Sequence, residues 1–173
     1  MSEISVWFER EFKFDFPAEL YPNFRVRLRG TPSRLEDLTR GIPTDQLIQR
    51  PNGKWSIQEN AGHLLDLEDL WVARLQEFLA GSGELMTADL TNARTDQARH
   101  NDRSLEEILA GFRKTRLNWV EKTEQLFVTD FARKAKHPRL GLSMRLVDHL
   151  YFVAEHDDHH LARIWELRRQ FSR

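Results

Sequence analysis

Between residues 146 and 164, Leu146, Val147, Leu150, Val153, Leu161 and Ile164 recur at helical spacing, and histidines are set among them. Nothing else in the chain constrains the fold as much. A helix with one apolar stripe must bury it against other elements, and a polar side chain carried inward needs a partner there. At 100° per residue, with His156 at zero, His160 lies at about 40°, His149 at about 20° and His159 at about -60°. Four of the seven histidines therefore fall on this one helix. His156 and His160 are four apart, with Cβ atoms about 5–6 Å from each other. Two imidazoles so placed can grip one divalent metal ion. His149 is about 10 Å along the axis from His156, too far to share that ion, and reads as a core residue or as a support for the ligands.

Three further helices precede this one. Leu35, Leu38 and Ile42 have helical spacing, and Thr31 or Ser33 with Pro32 marks a helix start or a kink; residues 18–29 read as a further helical piece. Arg50-Pro51-Asn52-Gly53-Lys54 is a turn. Ser56 and Glu59 form a capping box for a helix bearing Ile57, Leu64, Leu67, Trp71, Leu75 and Phe78, which Gly81 stops. Residues 81–103 are a long polar connection, of the kind that is functional or acts as a crossover. Ser104 and Glu107 predict a second capping box, with Ile108, Phe112, Trp119, Val120 and Leu126 on the helix that follows. Residues 128–142 read as irregular, and the last helix as running from about Ser143 to Arg169. The sum is an all-α chain, a bundle of four main helices in one domain spanning 1–173. An aromatic arm at about 1–30 precedes the bundle; Phe12, Phe14 and Phe16 alternate with period two, so that piece is extended or a short strand.

The balance of 26 basic and 27 acidic residues gives a formal net charge of -1, which predicts no nucleic-acid partner. Arg25, Arg27 and Arg29 read as a solvated helix face. No uncharged stretch approaches the roughly 18 residues needed to span a bilayer. Met-Ser-Glu-Ile-Ser has neither a basic nor an apolar leader region, so a cytoplasmic location is expected. The chain contains no cysteine, so it has no disulfide, no thiolate metal ligand and no thiolate nucleophile of its own.

A third metal ligand must come from another helix, and His63 is placed for it. If its helix runs antiparallel to the last, His63 and His160 lie at matching levels, each about 10–13 Å from the relevant helix end. His100 and His137 fall in loops and are weaker candidates. Three neutral nitrogens with open positions describe a reactive metal site rather than a closed structural one. Asp66, three residues after His63, could orient it. The opposing reading makes these histidines hydrogen-bonded core residues, and Glu59, Asp66, Glu155, Asp157 and Asp158 solvated acids.

Trp55-Ser56-Ile57-Gln58-Glu59-Asn60-Ala61-Gly62-His63-Leu64, followed late by His156-Asp157-Asp158-His159-His160-Leu161-Ala162, resembles the DinB/YfiT-like superfamily. His137-Pro138-Arg139-Leu140 resembles that family's approach to its final helix. The resemblance covers roughly residues 31–168. It implies a four-helix bundle of up-down-down-up topology, a homodimer, and one divalent metal ion, zinc or nickel, on His63, His156 and His160. It also implies either hydrolysis or S-transfer on a small-molecule substrate, the latter with a low-molecular-weight thiol cosubstrate. Arg145, Arg163 and residues 81–103 could line such a pocket. The alternative is a non-catalytic metal-binding or stress-associated bundle.

Overall fold

The computed structural model describes residues 4–171. Met1, Ser2 and Glu3, part of the stretch read for a leader, lie outside them, as do Ser172 and Arg173. Among the described residues no helix is long and apolar enough to cross a membrane. Four rods make the bundle. The first is α1 (Tyr21–Thr39). A short α2 (Thr44–Leu47) leads to the second rod, α3 (Ile57–Asp66) and α4 (Glu68–Ala80), interrupted only at Leu67. After α5 (Ala93–Gln97) comes the third, α6 (Leu105–Glu124). Then α7 (Val128–Phe131) and a hairpin of β1 (Lys134–Lys136) with β2 (Ser143–Arg145) lead into the fourth, α8 (Leu146–Phe171). Both α1 and the α3–α4 rod pack on α6 and on α8. The topology is up-down-down-up, and residues 81–104 form the long connection that lets the second and third rods run parallel.

Several sequence expectations are corrected here. The helix around Pro32 starts at Tyr21, so the irregular arm ends well before residue 30. Pro32 lies inside α1 and cannot donate to the Leu28 carbonyl; that oxygen instead faces Arg116 Nη1 at 3.5 Å. The Ser56–Glu59 capping box is present, with Glu59 N–H on Ser56 Oγ at 3.0 Å and Ser56 N–H on Glu59 Oε2 at 2.9 Å. The second one is not, because Ser104 makes no side-chain cap. Residues 128–142 are ordered by α7 and by antiparallel pairing of Ala135 with Met144. Phe12–Phe16 is extended but joins no strand. Arg29 is exposed, as the solvated-face reading expects, but Arg25 and Arg27 are not simply solvated. Arg27 bonds Glu155 and Asp158, and Arg25 donates to the Thr123 carbonyl at 2.7 Å.

The core is two apolar clusters with a polar layer between them. Leu28, Trp71, Trp119 and Ala154 belong to one cluster, and Leu35, Leu64, Phe112 and Leu161 to the other. In each rod the two members are separated by two helical turns, and a buried polar residue stands between them: Thr31, Glu68, Arg116 and Asp157. The Arg116 guanidinium donates to Glu68 at 2.6 Å and to both oxygens of Asp157, and Thr31 Oγ1 donates to Asp157 at 2.8 Å. One buried cation thus joins all four rods. Burial, only partly countered by Arg116, pushes the Glu68 carboxyl up to about 7.

Arg116→Met should destabilise the fold by about 3–5 kcal/mol, because two buried acids lose their counter-charge. Combining it with apolar replacements of Glu68 and Asp157 should recover most of that loss. Chemical denaturation of the single and triple variants measures both.

Candidate metal centre and pocket

The polar layer widens on one side into a histidine cluster. The His63 ring centroid on α3 lies 5.3 Å from that of His156 and 4.7 Å from that of His160, and the two α8 rings are 4.6 Å apart. One nitrogen from each comes within 4.8 Å of the others. The capping box places His63: it starts α3 at Ile57, which turns Asn60 and His63 toward α8 one turn apart.

Neighbouring bonds fix the tautomers. The Thr95 hydroxyl gives its one proton to Asp66 Oδ2 at 2.9 Å, so it accepts from His63 Nδ1–H at 2.9 Å. The Asn60 amide nitrogen donates to the Ser56 carbonyl at 2.7 Å, which turns its oxygen toward His160 Nδ1–H at 2.9 Å. Each ring therefore keeps an Nε2 lone pair for another partner. His156 Nδ1 is buried with no hydrogen-bond partner. Burial pushes His63 down to about 4, though Asp66 opposes the shift; burial and the neighbouring histidines push His156 and His160 well below the ordinary value. Three neutral imidazoles at neutral pH, converging without a proton to displace, are a donor set that fits a divalent ion of borderline softness.

Asp66 does support His63, but through Thr95. Its other partner is His100, whose Nε2–H reaches Asp66 Oδ2 at 2.8 Å. The His100 ring lies on Gly62, where any added Cβ would overlap it. His149 is a core residue, between Trp71 and Phe78, with neither ring nitrogen bonded. His137 pairs with Arg74. Glu155 and Asp158 are paired with arginines, Glu59 with Arg50, and Asp157 with Arg116, so none of these acids simply solvates a face.

The trio opens into a cavity of about 610 Å³. Arg163 and residues 88–90 and 92 line it, as the sequence suggested; Arg145 does not, being bonded to Asp148. The aromatic arm has a definite role here. It lies along α8, with Arg10 bonded to Glu155 at 2.5 Å, and Trp7 forms a cavity wall 5.0 Å from the His156 ring. Trp55 closes another side at 4.8 Å from His63. Sequence reasoning missed Thr95, Asn60, Trp7, Arg74 and Arg139. Only Asn60 carried a usable signal, one helical turn before His63.

The family model of the DinB superfamily matches residues 27–164. The chain belongs to the DinB superfamily. A search of curated proteins finds no match. Among solved structures, YfiT from Bacillus subtilis, described as a probable metal-dependent hydrolase with an unusual four-helix bundle topology, is similar in fold. The TM-score is 0.83 at 20% identity, over 95% of this chain and 94% of that one.

Two outcomes are expected. Gly62→Ala should cost about 1–3 kcal/mol, as overpacking does, and should loosen His100 from Asp66; a melt and the His100 NMR shifts report both. The second concerns pH. His63, His137, His149, His156 and His160 all have folded-state values pushed below the ordinary 6.5 by burial. Above pH 6.5 they are neutral whether folded or not. Below it the unfolded chain binds protons that the folded chain refuses, so stability is lost as pH falls toward about 4. Glu68, raised to about 7, acts in the opposite direction but is outnumbered. Metal-free protein should therefore melt on the order of 10 °C lower at pH 5 than at pH 7.

Proposed function

We propose that this DinB-superfamily protein is a metal-dependent enzyme for a small molecule, with His63, His156 and His160 holding one divalent ion, zinc or nickel. The observation that carries the reading is three neutral imidazoles converging at the wall of a large cavity. A structural site would be sealed by a fourth protein ligand; among the described residues, the one cluster able to hold a metal ion contains these three alone. A bound divalent ion supplies Lewis acidity, which lowers the pKa of a coordinated water or thiol toward neutrality. The chain's own residues set the rest. Thr95 and Asn60 fix two ring orientations, and Trp7, Trp55 and Trp71 offer apolar walls. His159, half-buried on the cavity wall and pushed down to about 4 mainly by burial, adds a neutral, weakly basic ring there.

The reaction is hydrolysis or the transfer of a small thiol. YfiT's description supports the first. The second needs an exogenous thiol, since the chain has no cysteine. Metal-loaded protein should be assayed against ester, amide and phosphoester substrates, and against electrophiles with low-molecular-weight thiols. Turnover should be abolished by His156→Ala. Silence in every arm would favour a metal-binding bundle without catalysis.

Elemental analysis should find about one divalent ion per chain. His63→Ala, His156→Ala and His160→Ala should each lower occupancy at least tenfold, while His149→Ala leaves it near normal. Chelation should lower the melting temperature without unfolding the protein, because the two apolar clusters do not include the trio.

A further inference from the structure

The cavity continues past the histidines to a second end whose chemistry the trio does not explain. Arg74 from α4 and Arg139 from the β1–β2 connection both line it. The other strongly buried guanidinium, Arg116, is neutralised by two acids, and half-buried Arg27 and Arg145 also have theirs. Among the described residues, Arg74 and Arg139 have no carboxylate within ion-pair distance. The acid nearest in charge to Arg74, Glu77, is turned to the Met86 amide at 2.7 Å. Asp89 and Glu166 also border the cavity, but Asp89 holds Thr91, and Glu166 faces Arg163 at 4.0 Å.

Donor bookkeeping points the same way. Arg74 is 1% exposed. Its Nε and Nη2 share the Met86 carbonyl, at 3.0 and 2.7 Å, and its Nη1 stands 3.2 Å from His137 Nε2. His137 Nδ1 stands equally 3.2 Å from the Leu140 N–H, and a neutral imidazole has only one acceptor nitrogen. Arg74 Nη1 and the Leu140 N–H therefore compete for one imidazole lone pair, and one of the two lacks its acceptor. Arg139 Nη2 is buried with no hydrogen-bond partner at all. An oxyanion would satisfy these donors and offset both charges; arginine forks match carboxylate and phosphate geometry.

We propose that Arg74, Arg139 and His137 form an oxyanion subsite, and that the substrate is a small acid with a carboxylate or phosphate at one end and its reacting group at the other. This rests on the trio being the reacting end. Two aromatic rings, one on each route, separate the two ends. Trp71 lies 5.6 Å from the Arg74 guanidinium and 5.8 Å from the His156 ring; Trp7 lies 5.8 Å from the Arg139 guanidinium and 5.0 Å from the same histidine. The stretch between those ends is therefore apolar.

The test is calorimetric titration of full-length protein, metal-loaded and chelated, with succinate and with inorganic phosphate as separate probes. At least one anion should bind in both forms, and His156→Ala should keep that binding. Arg139→Gln should weaken it at least tenfold with metal content unchanged. Arg74→Gln should do the same if it folds; Arg139 is only half-buried, so its variant decides the matter if Arg74→Gln does not. Equal affinity in Arg139→Gln, no binding of either anion, or binding confined to the metal-loaded form and lost in His156→Ala would overturn the subsite. Arg139-dependent binding without turnover of any substrate would uphold the subsite and overturn the enzymatic reading.

Discussion

Everything in this bundle is arranged around one buried guanidinium. Arg116 is fully enclosed and reaches Glu68, Asp157 and the Leu28 carbonyl that Pro32 leaves free. An ion buried without partners is expensive, and one with several well-aimed partners fixes the elements that carry them. Here those elements are α1, α4, α6 and α8, so the register of each rod against the others is set at one level. Apolar packing above and below that level supplies the greater driving force, but it would tolerate a slip that the polar layer does not.

The candidate site depends on this register. Asp157 is bonded inward to Arg116, which turns the flanking His156 and His160 toward α3. On α3 the capping box sets the first residue of the helix, and so the direction of Asn60 and His63. The histidines need not titrate to be functional: burial has already made them neutral. His63 and His160 are oriented by hydrogen bonds to Thr95 and Asn60, the usual way a protein holds an imidazole for a metal, while His156 is held by packing alone. The second end of the cavity inverts this logic: its two guanidiniums line the wall with no carboxylate paired to them among the described residues.

Much of this was legible in the chain. Helical spacing gave the four rods, and the i, i+4 pair in an apolar stripe identified His156 and His160. His63 followed from helix levels and from the resemblance carried by residues 55–64. What was not legible has physical causes. Pro32 reads as a boundary, because only the finished fold shows Arg116 taking up the freed carbonyl. Ser104 has the right spacing for a cap, yet spacing does not decide where a hydroxyl points. Thr95, Arg74 and Arg139 reach the site from the long connection, the middle of α4 and a hairpin turn, places where local pattern says nothing about distant neighbours.

The most direct test of the central claim is X-ray absorption on protein loaded with one equivalent of zinc. The account predicts three imidazole nitrogens at about 2.0–2.1 Å, with a further light-atom ligand that exchanges when a small thiol is added and is replaced by sulfur. Fewer than three imidazoles, or a shell completed by protein side chains and indifferent to added thiol or anion, would contradict it.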